Sequence, residues 1–395
     1  MRVTIAPDSF KGSLSATDVA EAMAAGMQGV WPQCEFMLCP MADGGEGTAE
    51  VLLTRGGTRV VTASVDIFGR PSPAFWVRYG RTALVEAAVG SGYQPVERRI
   101  ADGVATTSLG TGLLIAAALR DPDVDEVFVA LGGTGSTDGG MGLLSALGAE
   151  FWDAQGTPLP PYGTSLPLVR SVQIQPAGKP LVGLYDVDSK LVGRNGAVRM
   201  FGPQKGVPAT MLSPLDAAMR RFAECVRHHG RENWAARAGA GAAGGMGFGI
   251  LAAGGRLRPG APQVAEWVGL DRAIGQSDWV ITGEGKIDAQ TARGKVVGLV
   301  AERAAARNVP VAALVGGRGA GADLLYKAGL SVIYPILPGP VTLTEALREA
   351  RQYITDGAMH LAWAIERCWR PRTGPLFPED EEDTERTGLT GLHDN

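Results

Sequence analysis

Four cysteines, Cys34, Cys39, Cys225 and Cys368, are spread over 395 residues without one Cys-x-x-Cys pair, and the four histidines (His228, His229, His360, His393) stand outside every glycine-rich segment. Reduced thiols are therefore expected, with no structural zinc and no histidine-based acid–base chemistry. No run of about 18 apolar residues occurs, and the opening MRVTIAPDSFKGS lacks the apolar core of a signal peptide. The expectation is a cytoplasmic protein with no membrane partner. A formal charge of -4 and a pI near 5.7 leave no basic footprint for nucleic acid. Gly-x-x-x-x-Gly-Lys-Ser/Thr is missing, as are the protein-kinase signatures, which excludes a P-loop enzyme and a protein kinase.

Glycine is what the chain has in excess, with 56 residues, about double the usual share of roughly 7%. The excess gathers at residues 42–48 (ADGGEGT), 132–140 (GGTGSTDGG), 239–249 (GAGAAGGMGFG) and 282–291 (TGEGKIDAQT). Glycine lets backbone N–H groups approach an anion, Ser and Thr add hydroxyl donors, and a following helix points its positive end at the same place. Any one such segment is equally what a tight turn requires; the repetition argues for phosphate. Acids accompany the glycines at Asp8, Asp43, Glu46, Asp138, Asp186, Glu284 and Asp288, and lysines at Lys11, Lys205, Lys286 and Lys295. Glycine loops, lysines and carboxylates together are the parts of phosphoryl transfer, in which the protein chiefly positions groups and stabilises charge.

The chain's organisation places these parts. Residues 2–6, 35–41, 278–282 and 309–315 read as apolar strands running into polar loops and then helices, the βα grammar whose ligands collect at the strands' C-terminal ends. Ser15 and Asp18 have capping-box spacing at the start of a helix over 16–30. From 59 to 89 the pattern shifts to extended segments (VVTASV, PAFWVRY, TALVEAAV), consistent with antiparallel or mixed strands. Two α/β domains are expected, one made of both chain ends (1–62 and 275–370) and one inserted (63–274). Residues 371–395, broken by prolines and rich in acids, read as a disordered tail.

With these motifs in view the chain resembles the bacterial glycerate kinase family, of the glycerate 2-kinase type. The likeness is carried by Ala6-Pro7-Asp8-Ser9-Phe10-Lys11, the segment 42–48, the loop 132–140, Phe201-Gly202-Pro203-Gln204-Lys205-Gly206, residues 241–247, and Ile281-Thr282-Gly283-Glu284-Gly285 with Asp288 and Lys295. It departs from the family's usual pattern at two loops, where Asp138 and Asp186 stand without the neighbouring asparagines. The resemblance implies a flavodoxin-like parallel-sheet domain formed by both ends, an inserted restriction-endonuclease-like mixed-sheet domain, and phosphorylation of D-glycerate by ATP with Mg²⁺, with 2-phosphoglycerate as the favoured product. On that basis Asp43 or Asp186 is expected as the base, with Lys11 as catalytic cation. Asp8, Ser9 and Lys205 are expected on the substrate. Gly44, Gly45, Gly132, Gly133, Thr134, Gly244, Gly245, Gly283 and Gly285 are expected on the nucleotide phosphates, and Asp138, Glu284 and Asp288 on the metal. A homodimer stays open. Two other readings stay open as well: a homologue that senses an anionic metabolite without turnover, and a dinucleotide-dependent dehydrogenase suggested by Gly317-x-Gly319-x-x-Ala322 after a strand.

Overall fold

The computed structural model describes residues 1–92, 103–227, 233–292 and 294–368; the tail expected at 371–395 lies outside the described residues. In chain order the strands are β1 (Arg2–Ile5), β2 (Glu35–Leu38), β3 (Thr58–Thr62), β4 (Ala74–Tyr79), β5 (Thr82–Glu86), β6 (Glu126–Ala130), β7 (Glu150–Trp152), β8 (Ser171–Gln173), β9 (Leu181–Tyr185), β10 (Arg256–Pro259), β11 (Trp279–Glu284), β12 (Val311–Val315) and β13 (Val332–Pro335). They build a parallel sheet, a mixed sheet and a small β7–β8 ribbon.

The first sheet has the order β13-β12-β11-β1-β2 and is parallel throughout. Counted along the chain within that sheet, the order is 2-1-3-4-5, which flavodoxin shares, and its switch point falls between β1 and β11. Strands such as β12, VAALV, are buried on both faces, because helices cover both sides of a parallel sheet. On one face Val19 and Met23 of the helix Ala16–Gln28, and Ile354 and Ala358 of the helix Ala350–Cys368, pack on Ile5, Ile281 and Leu314. On the other, Val264 and Val300 pack on Val280 and Val315. The Ser15–Asp18 spacing works as expected: Ser15 Oγ accepts from the Asp18 N–H at 3.2 Å and donates to its carboxylate at 2.8 Å.

The second sheet has the order β10-β9-β6-β5-β4-β3. Its β3-β4-β5 portion is antiparallel and its β5-β6-β9-β10 portion parallel. The stretch read as a single extended segment over TALVEAAV divides in two, β5 giving way at Glu86 to the short helix Ala87–Ser91. One face of this sheet carries Val85, Val127 and Val129 into a core with Leu114, Leu143, Phe222 and Phe248. The opposite face, with Leu84, Phe128 and Leu184, packs against Leu52 and Trp267. The Phe128 and Trp267 rings meet edge to face with centroids 5.0 Å apart, a favourable aromatic geometry. The chain leaves the first sheet's layers between the helix Thr48–Thr54 and β3, and returns to them between β10 and the helix Gly260–Val268.

Candidate active site

The ends of β1, β2 and β11 from one sheet and of β6 and β9 from the other deliver their loops to one cleft. The loop after β1 brings Asp8, Ser9 and Lys11; that after β2 brings Asp43; β11 ends in Glu284; and Asp186 follows β9. Lys11 Nζ lies 4.0 Å from Asp43 Oδ2. Burial pushes Asp8 up to about 8, with Asp43 and Glu284 nearby adding to the effect and the Ser9 N–H, which donates to Asp8 Oδ1 at 2.7 Å, opposing it. Asp186 is raised by burial and by Asp43, against the pull of Lys295 and Lys11. Glu284 is raised by burial and pulled back by the same two lysines. Burial works against the Lys11 ammonium, yet Asp43, Asp8, Asp186 and Glu284 together outweigh it and hold its pKa above the ordinary lysine value. Four carboxylates and two lysines thus share one field, the arrangement in which ionisation is tuned for chemistry.

A cavity of about 510 Å3 adjoins this cluster, lined by Glu46, Gly132, Gly133, Thr134, Asp186, Gln204 and Lys205 among others. Lys205 is buried, and desolvation lowers its pKa to about 8 even with Asp138 nearby favouring its charge. Its ammonium donates to Thr134 Oγ1 at 3.1 Å and to the Ser136 carbonyl at 2.9 Å, and an ammonium has three donors. Glu86, at the end of β5, accepts from the Gly47 and Ala49 N–H groups at 3.2 and 2.9 Å and so holds the loop that carries Asp43 and Glu46.

Several residues expected at the site have other occupations. Asp138, expected on a metal, is 0% exposed. Its Oδ2 accepts from Ser108 N, Ser108 Oγ and Gly142 N and its Oδ1 from Gly140 N, at 2.7–3.0 Å, so both oxygens are engaged within the protein. Asp288 Oδ1 accepts from Gln290 N at 2.7 Å, and Thr291 Oγ1 stands between Asp288 and Glu284, accepting from Asp288 N and donating to Glu284 Oε2 at 3.4 Å. Gly283, expected in a phosphate loop, is inside β11 opposite Leu314. Gly244 and Gly245 are spent on packing: a Cβ on either would come within 2.0 Å of the Ser136 carbonyl or 2.5 Å of Gly139 Cα. Gly44 likewise lies against Gly260 and Gly45 against Gly132. Gly132, Gly133 and Thr134 do line the 510 Å3 cavity, and Gly285 lines another of about 300 Å3.

The 317–322 stretch is not a dinucleotide turn. It is zipped to the loop after β11, with Ile287 N donating to the Gly317 carbonyl and Gly319 N to the Ile287 carbonyl, and the next helix, Leu324–Lys327, is a single turn. Lys295, one of the lysines that accompany the acids along the chain, belongs to the charged cluster. Its signal was its place one residue after Gly294 at the head of the helix Val296–Ala305. Among the described residues no three His, Cys, Asp or Glu side chains form a ready cage for a metal. Mg²⁺ commonly rests on one or two carboxylates plus phosphate oxygens, and Asp8, Asp186 and Glu284, each raised by burial and by Asp43 nearby, are the acids here whose field a cation would relieve.

Comparison with known proteins gives concordant matches. The model of the glycerate kinase family matches residues 3–366. A glycerate kinase of Bacillus subtilis (strain 168) is 37% identical over 377 residues, covering 93% of this chain and 98% of that protein. The glycerate 2-kinase of Escherichia coli (strain K12) is 35% identical, covering 92% and 97%. A crystal structure assigned to glycerate kinase 2 of Salmonella typhimurium LT2 superposes with a TM-score of 0.81 at 36% identity, covering 93% of this chain and 98% of that one.

Proposed function

Because the chain belongs to the glycerate kinase family, we propose that it transfers the γ-phosphoryl group of ATP to the 2-hydroxyl of D-glycerate, in the cleft between the two sheets and with Mg²⁺. The observation that carries this reading is the cluster of Asp8, Asp43, Asp186 and Glu284 with Lys11 and Lys295, beside a cavity holding buried Lys205. The 2-position is favoured by the name of the Escherichia coli relative. We further take the parallel sheet and its helices as one domain and the mixed sheet as an inserted one, and place the enzyme in the cytoplasm.

Glycerate would enter the 510 Å3 cavity with its carboxylate on Lys205, whose third N–H is left for it. Asp186 lines the same cavity, and a carboxylate raised above its ordinary value is a better proton acceptor. It takes the hydroxyl proton as the oxygen bonds to the γ-phosphorus and the bond from that phosphorus to the bridging oxygen breaks, releasing ADP. Lys11, whose side chain is 67% exposed beside buried Asp43, would meet the transferring phosphate. Asp43 keeps Lys11 charged and aimed. Asp8 and Glu284 fit Mg²⁺, which when bound neutralises phosphate charge. Gly132, Gly133 and Thr134 remain our candidates for the phosphate-facing wall.

The test is phosphorus NMR of the product made from ATP and D-glycerate. A doublet from coupling to the single C2 proton is expected; a triplet from a CH2 group would move the reaction to the 3-hydroxyl. No glycerate-dependent phosphate ester at all would remove the kinase reading.

A further inference from the structure

The second cavity, about 300 Å3, differs in kind from the first. Three neighbouring strands of the first sheet feed it: Ser9 and Lys11 come from the loop after β1, Gly285 and Lys286 from that after β11, and Gly316 from that after β12. This is the crevice at the switch point of a doubly wound sheet. Its other wall is aliphatic, made by buried Ile336 and Ala350, half-buried Leu337 and Leu347, and Leu343. Leu343 is 74% exposed, an apolar side chain at the mouth with little covering it. A three-carbon hydroxy acid has no apolar surface for such a wall. Lysines stand at the polar end, and Lys11 and Glu284 belong at once to this cavity and to the charged cluster, so the space continues into the cleft.

An occupant must therefore be apolar at one end and anionic at the other. We propose that the nucleoside end of the phosphoryl donor occupies this cavity. Its base lies against Leu337, Leu343 and Leu347, and its phosphates run past Lys286 and Lys11 toward the carboxylates. The acceptor acid occupies the 510 Å3 cavity, which of the donor only the terminal phosphate reaches, at the wall of Gly132, Gly133 and Thr134. This assignment rests on the kinase reading above and divides that site into a donor half and an acceptor half.

Two variants test it. Ala346→Trp fills the cavity with a bulky ring, and Leu343→Glu places a carboxylate at the exposed rim, where folding is not at stake. Each is expected to raise the KM for ATP, and the Kd for ADP measured by calorimetry, by about tenfold or more, with the KM for D-glycerate unchanged within about twofold. If Ala346→Trp does not fold, Leu343→Glu carries the same expectation. A turning-over wild type whose folded variants keep the ATP KM and ADP Kd would overturn the assignment and leave the kinase reading intact. A wild type that binds ADP, loses it in both variants, and makes no phosphoglycerate would do the reverse. A wild type that binds no ADP would overturn both.

Discussion

Both the backbone N–H and the hydroxyl of Ser108 donate to the same carboxylate oxygen of Asp138, each at 2.7 Å. Gly140 and Gly142 N–H groups complete the set at 3.0 and 2.9 Å, while Ser108 Oγ accepts from Leu143 N at 2.9 Å. The pair therefore ties the start of the helix Leu109–Arg120 to the start of the helix Met141–Ala146. Such a carboxylate joins two helix starts through the protein's own donors.

Asp138→Ala is accordingly expected to cost on the order of 3 kcal/mol or more of folding stability, since buried donors left unpaired cost about 1–3 kcal/mol each and do not add fully. Denaturant unfolding measures this. A variant with unchanged stability and a weakened dependence on Mg²⁺ would return Asp138 to the metal set.

Asp186→Asn should lower kcat by about 10²–10⁴, the usual range for losing a general base, with little change in melting temperature, because its neighbours include Asp43 as well as the lysines. Asp43→Asn should lower kcat less and raise the KM for ATP, since it removes the partner of Lys11. Steady-state kinetics on the two variants decides. A larger kcat loss in Asp43→Asn with its ATP KM unmoved would exchange their roles.

What was legible in the chain was local. The Ser15–Asp18 cap, the apolar strands and the acids at their C-terminal ends all lie within a few residues of the features that announce them. That Asp8, Asp43 and Glu284 share one edge followed from the grammar, because parallel strands deliver their loops to one edge, whereas Asp186 joins them from the other sheet. What stayed hidden depended on distant segments. Nothing near Asp138 shows that Ser108, 30 residues earlier, donates twice to one of its oxygens. Nothing near Gly132 shows Gly45 pressed against it. The helices Gly260–Val268 and Leu270–Ile274 are punctuated by Pro262 and Gly269, so no unbroken period marks them, although Val264 and Ile274 are core residues of the first sheet's layer.

The alkaline limb of the pH profile should report Lys205. Its pKa in the folded chain is about 8 against an ordinary 10.5, so between those values the unfolded chain holds more protons, and this group's contribution to stability rises as pH climbs through that window. Binding moves the other way, because only the ammonium attracts the glycerate carboxylate. The KM for glycerate should be flat below pH about 8 and rise toward tenfold per pH unit above it. In Lys205→Met it should be high and flat. A wild-type KM that does not change between neutral and alkaline pH would take Lys205 off the carboxylate.

Gly132 and Gly133 separate a seam from a phosphate cradle. A Cβ on Gly132 would stand 2.6 Å from Gly45 Cα, so Gly132→Ala must part the loops after β6 and β2, at a cost of about 1–3 kcal/mol. Gly133 has φ +66° and lines the 510 Å3 cavity; there alanine costs roughly 1–2 kcal/mol for the left-handed backbone and brings its Cβ within 3.0 Å of Ala88 Cβ. Gly132→Ala should therefore lose stability while the affinities for ATP and glycerate fall together, since both halves of the cleft are displaced. Gly133→Ala should lose affinity for ATP beyond what its stability change explains, because the added carbon narrows the wall assigned to phosphate. Calorimetry and denaturant unfolding on the same two proteins resolve this. Equal losses of stability and ATP affinity in both variants would make the whole 132–135 turn a seam, and the phosphates would then rest on Lys11, Lys286 and the loop at Gly285 alone.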